Sequence, residues 1–137
     1  MRFISVRIIT ADIKRLVKFY ESALGISAKW STEEFAEIGT SVATLAIGST
    51  KTLALFGGDV AAPENNKTAI LEFRVGNVDD DYKRVKELTP HVVQEPTTMP
   101  WGNRSLLFRD PDGNLINFFT PVSAEAIKKL DVLELSA

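Results

Sequence analysis

Apolar and polar positions alternate at the start of the chain. Ile4, Val6 and Ile8 interleave with Ser5, Arg7 and Ile9, which is the two-residue period of a strand. The period then lengthens. Ile13, Leu16, Val17, Tyr20 and Leu24 recur at helical spacing behind Asp12, a good N-cap, and Gly25 is placed to end that helix. Three extended pieces are predicted next, over about 27–31, 42–47 and 52–56, with 33–38 lengthening one of the first two. Gly48-Ser49 and Gly57-Gly58 break the run, and the polar stretch 59–67, which contains Pro63, reads as a linker.

The pattern then starts again. Ala69, Leu71, Phe73 and Val75 alternate with Ile70, Glu72 and Arg74; Asn77 can cap a helix that Pro90 stops; and strands are predicted over 92–95, 104–109 and 115–120. Ser5 lies as far from Asp12 as Ile70 lies from Asn77, so Ser5 matches Ile70, Arg7 matches Glu72 and Asp12 matches Asn77. An internal repeat of this kind organises the whole chain. The reading is α+β: two tandem βαβββ modules, about 3–57 and 68–121, with a short helix over about 123–131, all in one domain spanning 1–137. Asp110-Pro111-Asp112-Gly113 suits a type I turn and makes the last two strands a hairpin. A four-residue loop would set Arg109 opposite Asn114, Leu106 opposite Asn117 and Arg104 opposite Phe119, and a slip of one residue would invert the faces.

Composition narrows the function. The 137 residues are 45% hydrophobic and 25% charged with a net charge of −2, so a basic nucleic-acid-binding face is not expected. There is no cysteine, which excludes thiol nucleophiles, cysteine zinc sites and disulfides. No apolar run reaches the ~18–20 residues of a membrane span. Met1–Thr10 lacks a leader pattern, and the expected location is cytoplasmic.

Three stretches carry a resemblance to a known family: ADIKRLVKFYESALGI, LEFRVGNVDDDYKRVKE and RDPDGNLINFF. On them the chain resembles the vicinal-oxygen-chelate superfamily, which includes glyoxalase I, bleomycin-resistance proteins and extradiol dioxygenases. The resemblance implies that each module is a curved half-barrel and that the two enclose a cleft. It also implies four metal-ligand positions: one on each module's opening strand, here Ser5 and Ile70; one after the DPDGN turn, here Asn117; and one near 53–56. Serine, isoleucine and a neutral amide do not make a divalent transition-metal site, so no metal or other cofactor is expected.

The alternation places Val6, Ile8, Leu71 and Phe73 under the helices and turns Ser5, Arg7, Glu72 and Arg74 toward the cleft. Arg104, Asn117 and Phe119 join them from the final hairpin, and Trp101 from the Pro-Trp-Gly-Asn loop before it. Two readings of the charges stay open. Arg7 and Glu72 form a scaffold ion pair, or the arginines receive the carboxylate or phosphate of a small molecule. Trp30 is expected in the core, His91 at the surface, and Asp79-Asp80-Asp81 in a solvated first helical turn. The function expected is metal-free binding of a small polar or anionic organic molecule. The alternatives are a lyase, isomerase or dioxygenase-like enzyme with a relocated or absent metal, in which Glu72 is the candidate base, and a non-catalytic interaction protein. A homodimer is expected, with Val132, Leu133 and Leu135 as a contact.

Overall fold

The computed structural model describes residues 1–135. Its elements are β1 (Ser5–Thr10), α1 (Ile13–Leu24), β2 (Lys29–Thr32), β3 (Phe35–Gly39), β4 (Thr44–Ser49), a 3₁₀ segment (Thr50–Phe56), β5 (Ile70–Arg74), α2 (Val78–Leu88), β6 (Val92–Thr98), β7 (Asn103–Arg109), β8 (Leu115–Pro121) and α3 (Ala124–Leu135). The chain forms two compact units. One is Met1–Asn66 with Pro111–Gly113, and the other is Lys67–Asp110 with the described residues from Asn114 onward. Each carries a four-stranded mixed sheet, ordered β1-β4-β3-β2 in the first and β5-β8-β7-β6 in the second. The class is α+β, and the repeat extends to the pairing: β1 runs parallel to β4 as β5 does to β8.

In the first unit α1 starts where its cap demands. The Asp12 carboxylate accepts from the Arg15 N–H at 3.1 Å, and Gly25 closes the helix at φ +67°, a left-handed conformation that glycine adopts without penalty. Leu16, Val17, Tyr20 and Ala23 form its buried stripe, against Ile8, Ala36, Ile38, Leu45 and Ile47 from the sheet. Phe19 and Tyr20 meet edge to face, 5.5 Å between centroids.

Two expectations fail here. The stretch 33–38 does not lengthen a neighbour: Glu33 and Glu34 turn the chain, and Phe35–Gly39 is a strand of its own. Ala36 and Ile38 point into the core and Glu37 away from it, so the alternation is real but short. Residues 52–56 are not a strand. The Ser49 hydroxyl caps a 3₁₀ turn by accepting from the Lys51 N–H at 3.2 Å, and Thr52 Oγ1 donates to the Ser49 carbonyl at 2.7 Å. Leu53 is buried there and Leu55 is 96% exposed.

In the second unit Asn77 caps α2 by accepting from the Asp79 and Asp80 N–H groups. Asp79, Asp80 and Asp81 occupy the first turn, where their charges oppose the positive end of the helix dipole. Val78 and Val85 pack onto a sheet face built from Leu71, Leu106, Phe108, Ile116 and Phe118, with Phe108 and Phe118 edge to face at 4.9 Å.

The hairpin register differs by one residue from that expected. The loop is five residues long, Asp110 to Asn114, because Asn114 bonds back to Asp110. The Asn114 N–H donates to Asp110 Oδ1 at 2.9 Å, and its Nδ2 to Asp110 Oδ2 at 2.7 Å. Arg109 therefore faces Leu115, Leu107 faces Asn117, and Arg104 faces Thr120. The closing helix is longer than the 123–131 expected. Val132 and Leu133 are exposed on it, while the Leu135 side chain, Ser136 and Ala137 lie outside the described residues.

Candidate functional site

Register decides which side chains share a face. In the first unit Ser5, Arg7 and Ile9 line up with Thr44, Ala46 and Gly48 on β4, and with Gly39, Glu37 and Phe35 on β3. This is the sheet face turned away from α1. Arg7 is exposed on it, its guanidinium carbon 4.9 Å from the centre of the Phe35 ring and 6.0 Å from that of Phe56. Both distances are within cation–π range and hold the guanidinium beside the two rings. Among the described residues no carboxylate forms an ion pair with it. Phe35 and Phe56 were not foreseen as its neighbours. The F-A-E-I alternation is the sequence signal that makes Phe35–Gly39 a strand of its own and puts Phe35 on this face. Ser5 lies exposed at the start of the same strand.

In the second unit Ile70, Glu72 and Arg74 pair with Leu115, Asn117 and Phe119 across β5 and β8, as the alternation requires. Asn117 Nδ2 donates to Glu72 Oε2 at 2.8 Å, and Asn117 Oδ1 is buried with no hydrogen-bond partner. Arg74 reaches α3, 3.3 Å from Asp131. Phe119 is half-buried on this face beside Ser105.

Arg104 leaves the group. The register places it on the α2 face, where Nε and Nη2 each donate to Asp79 at 2.8 Å in a fork. The Arg104 guanidinium holds the Asp79 carboxyl below the usual carboxylate range. A carboxyl whose value is lower in the folded chain adds stability above its unfolded value and loses it as pH falls through the lowered one. Asp79→Asn is expected to flatten the fall in melting temperature below about pH 4. An acid limb identical to that of the wild type would mean that the fork contributes nothing.

Trp101 stands 67% exposed on the turn closed by the Gly102 N–H to the Met99 carbonyl, 2.9 Å. Trp30 is not in the core. It sits opposite Ala36 on the edge strand β2, with a neighbour strand on one side only, and lines an open groove of about 450 Å³ with Lys14, Ser31, Thr32 and Glu33. His91 is exposed, as expected.

The metal positions implied by the resemblance can now be placed. The last strand of the first sheet is β4, not 53–56, and Ala46 faces Arg7 as Asn117 faces Glu72. The implied positions are thus Ser5 and Ala46 in the first unit, a hydroxyl and a methyl, and Ile70 and Asn117 in the second, a hydrocarbon and an amide. Among the described residues no three His, Cys, Asp or Glu side chains are gathered to hold an ion. The donor set does not fit a divalent transition metal.

The doubled βαβββ pattern has clear relatives. A family model for the glyoxalase/bleomycin resistance protein/dioxygenase superfamily matches residues 2–118. The uncharacterized protein YraH of Bacillus subtilis (strain 168) is 31% identical over 130 residues, covering 87% of this chain and 98% of YraH. Among solved structures, a glyoxalase/bleomycin resistance protein/dioxygenase family enzyme from Burkholderia phytofirmans PsJN superposes with a TM-score of 0.80 at 16% identity, over 89% of this chain and 100% of that one. A glyoxalase-related enzyme from Fulvimarina pelagi gives 0.74 at 16% identity, over 90% and 93%. The repeat, the pairing of first strand with last in each sheet, and the match along most of the sequence agree: this chain belongs to the glyoxalase/bleomycin resistance protein/dioxygenase superfamily.

Proposed function

We propose that the protein binds a small organic anion through Arg7, without a metal. One observation carries the reading: an exposed guanidinium, oriented by the Phe35 and Phe56 rings and with no carboxylate paired to it among the described residues. A planar fork held in this way matches the two oxygens of a carboxylate or phosphate, and the phenyl rings offer apolar surface to the rest of the molecule. Ala46 and Gly48 beside it are small and buried, and Phe35 and Ile9 pack over Gly48. Arg74 and Arg104 are engaged with Asp131 and Asp79, so Arg7 is the anchor.

The test is a thermal-shift and calorimetric screen of small carboxylates and organophosphates against wild type, Arg7→Ala and Arg7→Lys. Loss of a charge-assisted fork is worth about 1.5–3 kcal/mol, so Arg7→Ala should weaken the best ligand roughly 10- to 100-fold, with lysine in between. Equal affinity for wild type and Arg7→Ala would refute the assignment.

A further inference from the structure

We propose that the Glu72–Asn117 pair on the second unit's sheet is a receptor for a primary ammonium group on an alkyl chain. Its residues lie in a different unit from Arg7, and either proposal can fail without the other.

The direction of one hydrogen bond sets the argument. A carboxylate has no proton to give, so the contact between Asn117 and Glu72 requires the amide nitrogen of Asn117 to be the donor, at 2.8 Å. That fixes the amide. Its carbonyl oxygen must be the other atom, and this is the atom buried without a partner. A buried acceptor left unmet is costly and uncommon in a native protein. Glu72 adds a second acceptor beside it. Among the described residues no cation forms an ion pair with Glu72. The pair thus combines an unmet acceptor that lies beneath the surface with an exposed carboxylate that no cation pairs among the described residues, and an incoming donor must part the side chains over the amide to reach both.

The complementary group must donate more than once and carry positive charge. A hydroxyl has a single proton and cannot serve both oxygens. An ammonium has three donors on one compact centre and can meet the amide oxygen and the carboxylate together. Around the pair stand Ile70, half-exposed on the edge strand, and the partly buried Leu107 and Phe119. These side chains suit an alkyl stem. A metal ion is a poorer occupant, because one carboxylate and one amide leave most of its coordination sphere without protein donors.

The experiment is an NMR titration of the ¹⁵N-labelled protein at fixed ionic strength, with n-butylammonium, n-butanol, butyrate and zinc as separate probes. The Asn117 side-chain NH₂ signals should shift saturably with n-butylammonium and with none of the others. Glu72→Gln, an exposed and isosteric change, should weaken binding roughly tenfold by removing the charge. Asn117→Leu should abolish it, and a circular-dichroism melt checks that this variant remains folded. The proposal is overturned if no saturable shift occurs up to about 50 mM amine. It is overturned equally if butanol or zinc binds as well, or if Glu72→Gln retains wild-type affinity.

Discussion

Replacing Gly102 with alanine is expected to destabilise the protein by about 3 kcal/mol or more, the largest effect of any glycine-to-alanine change in this chain. Two costs add. Gly102 has φ +92°, where an L side chain is strained. A Cβ built there would also lie 2.7 Å from Ser123 Cβ and 3.2 Å from Ala126 Cβ. The backbone has little freedom to retreat. The Gly102 carbonyl accepts from Val122 at 2.8 Å and from Ser123 at 3.1 Å, and its N–H donates to Met99. Ser123 in turn starts α3, its hydroxyl accepting from the Ala126 N–H at 3.1 Å. A methyl at 102 therefore pushes on the first turn of that helix. Gly58 is the control. Its φ is +84°, and a Cβ there meets nothing within 4 Å, so Gly58→Ala should cost only the backbone strain of about 1 kcal/mol. Urea unfolding of the two variants separates strain from collision. Equal midpoints would mean that the contact with Ser123 relaxes freely. Adding Ser123→Ala to Gly102→Ala should recover only a part, since the Ser123 Cβ remains and the helix cap is lost.

The contrast between Arg7 and Arg104 shows what the sequence could reveal and what it could not. Arg7 and Glu72 lie on strands whose alternation is uninterrupted and whose place is repeated in both modules, so their faces follow from a period of two. The helices follow as readily, since Asp12, Asn77 and Gly25 mark their ends by local chemistry. Arg104 depends on the length of a loop. Asp-Pro-Asp-Gly is compatible with a four-residue turn, and nothing local announces that Asn114 will fold back onto Asp110 and take a fifth residue out of pairing. One residue of slip exchanges the faces and carries Arg104 from the group around Asn117 to Asp79 on α2. The 3₁₀ segment and the exposure of Trp30 were hidden for a related reason. Thr-Leu-Ala-Leu-Phe has the apolar density of a strand, and only the Ser49 cap turns it into a helix. Trp30 is apolar enough for a core, but its strand is an edge. In each case a single side-chain contact or a strand's place in the sheet overrides the local apolar pattern.

Because that loop sets the register, removing its side-chain closure should be felt beyond the turn. Asp110 is 1% exposed, and its two oxygens take the backbone N–H and the side-chain amide of Asn114. Asp110→Ala removes the acceptor that both donors use inside the protein, at about 1–3 kcal/mol each before relaxation, so a loss of about 3 kcal/mol is expected. Asp110→Asn is the sharper probe. An asparagine oxygen can still take the backbone N–H of Asn114, but its amide then points donor to donor at Asn114 Nδ2, and a loss of about 2 kcal/mol is expected. The ordering, alanine worse than asparagine and both worse than wild type, is read from urea midpoints at unchanged slope. Hydrogen exchange supplies the second readout. The β7–β8 ladder from Arg109–Leu115 to Asn103–Pro121 should lose protection in Asp110→Ala, while the β1–β4 ladder keeps it. If both variants lose less than about 1 kcal/mol, within the reach of a single exposed hydrogen bond, the Asp110–Asn114 contact does not hold the register, and the backbone turn alone sets which face Arg104 occupies.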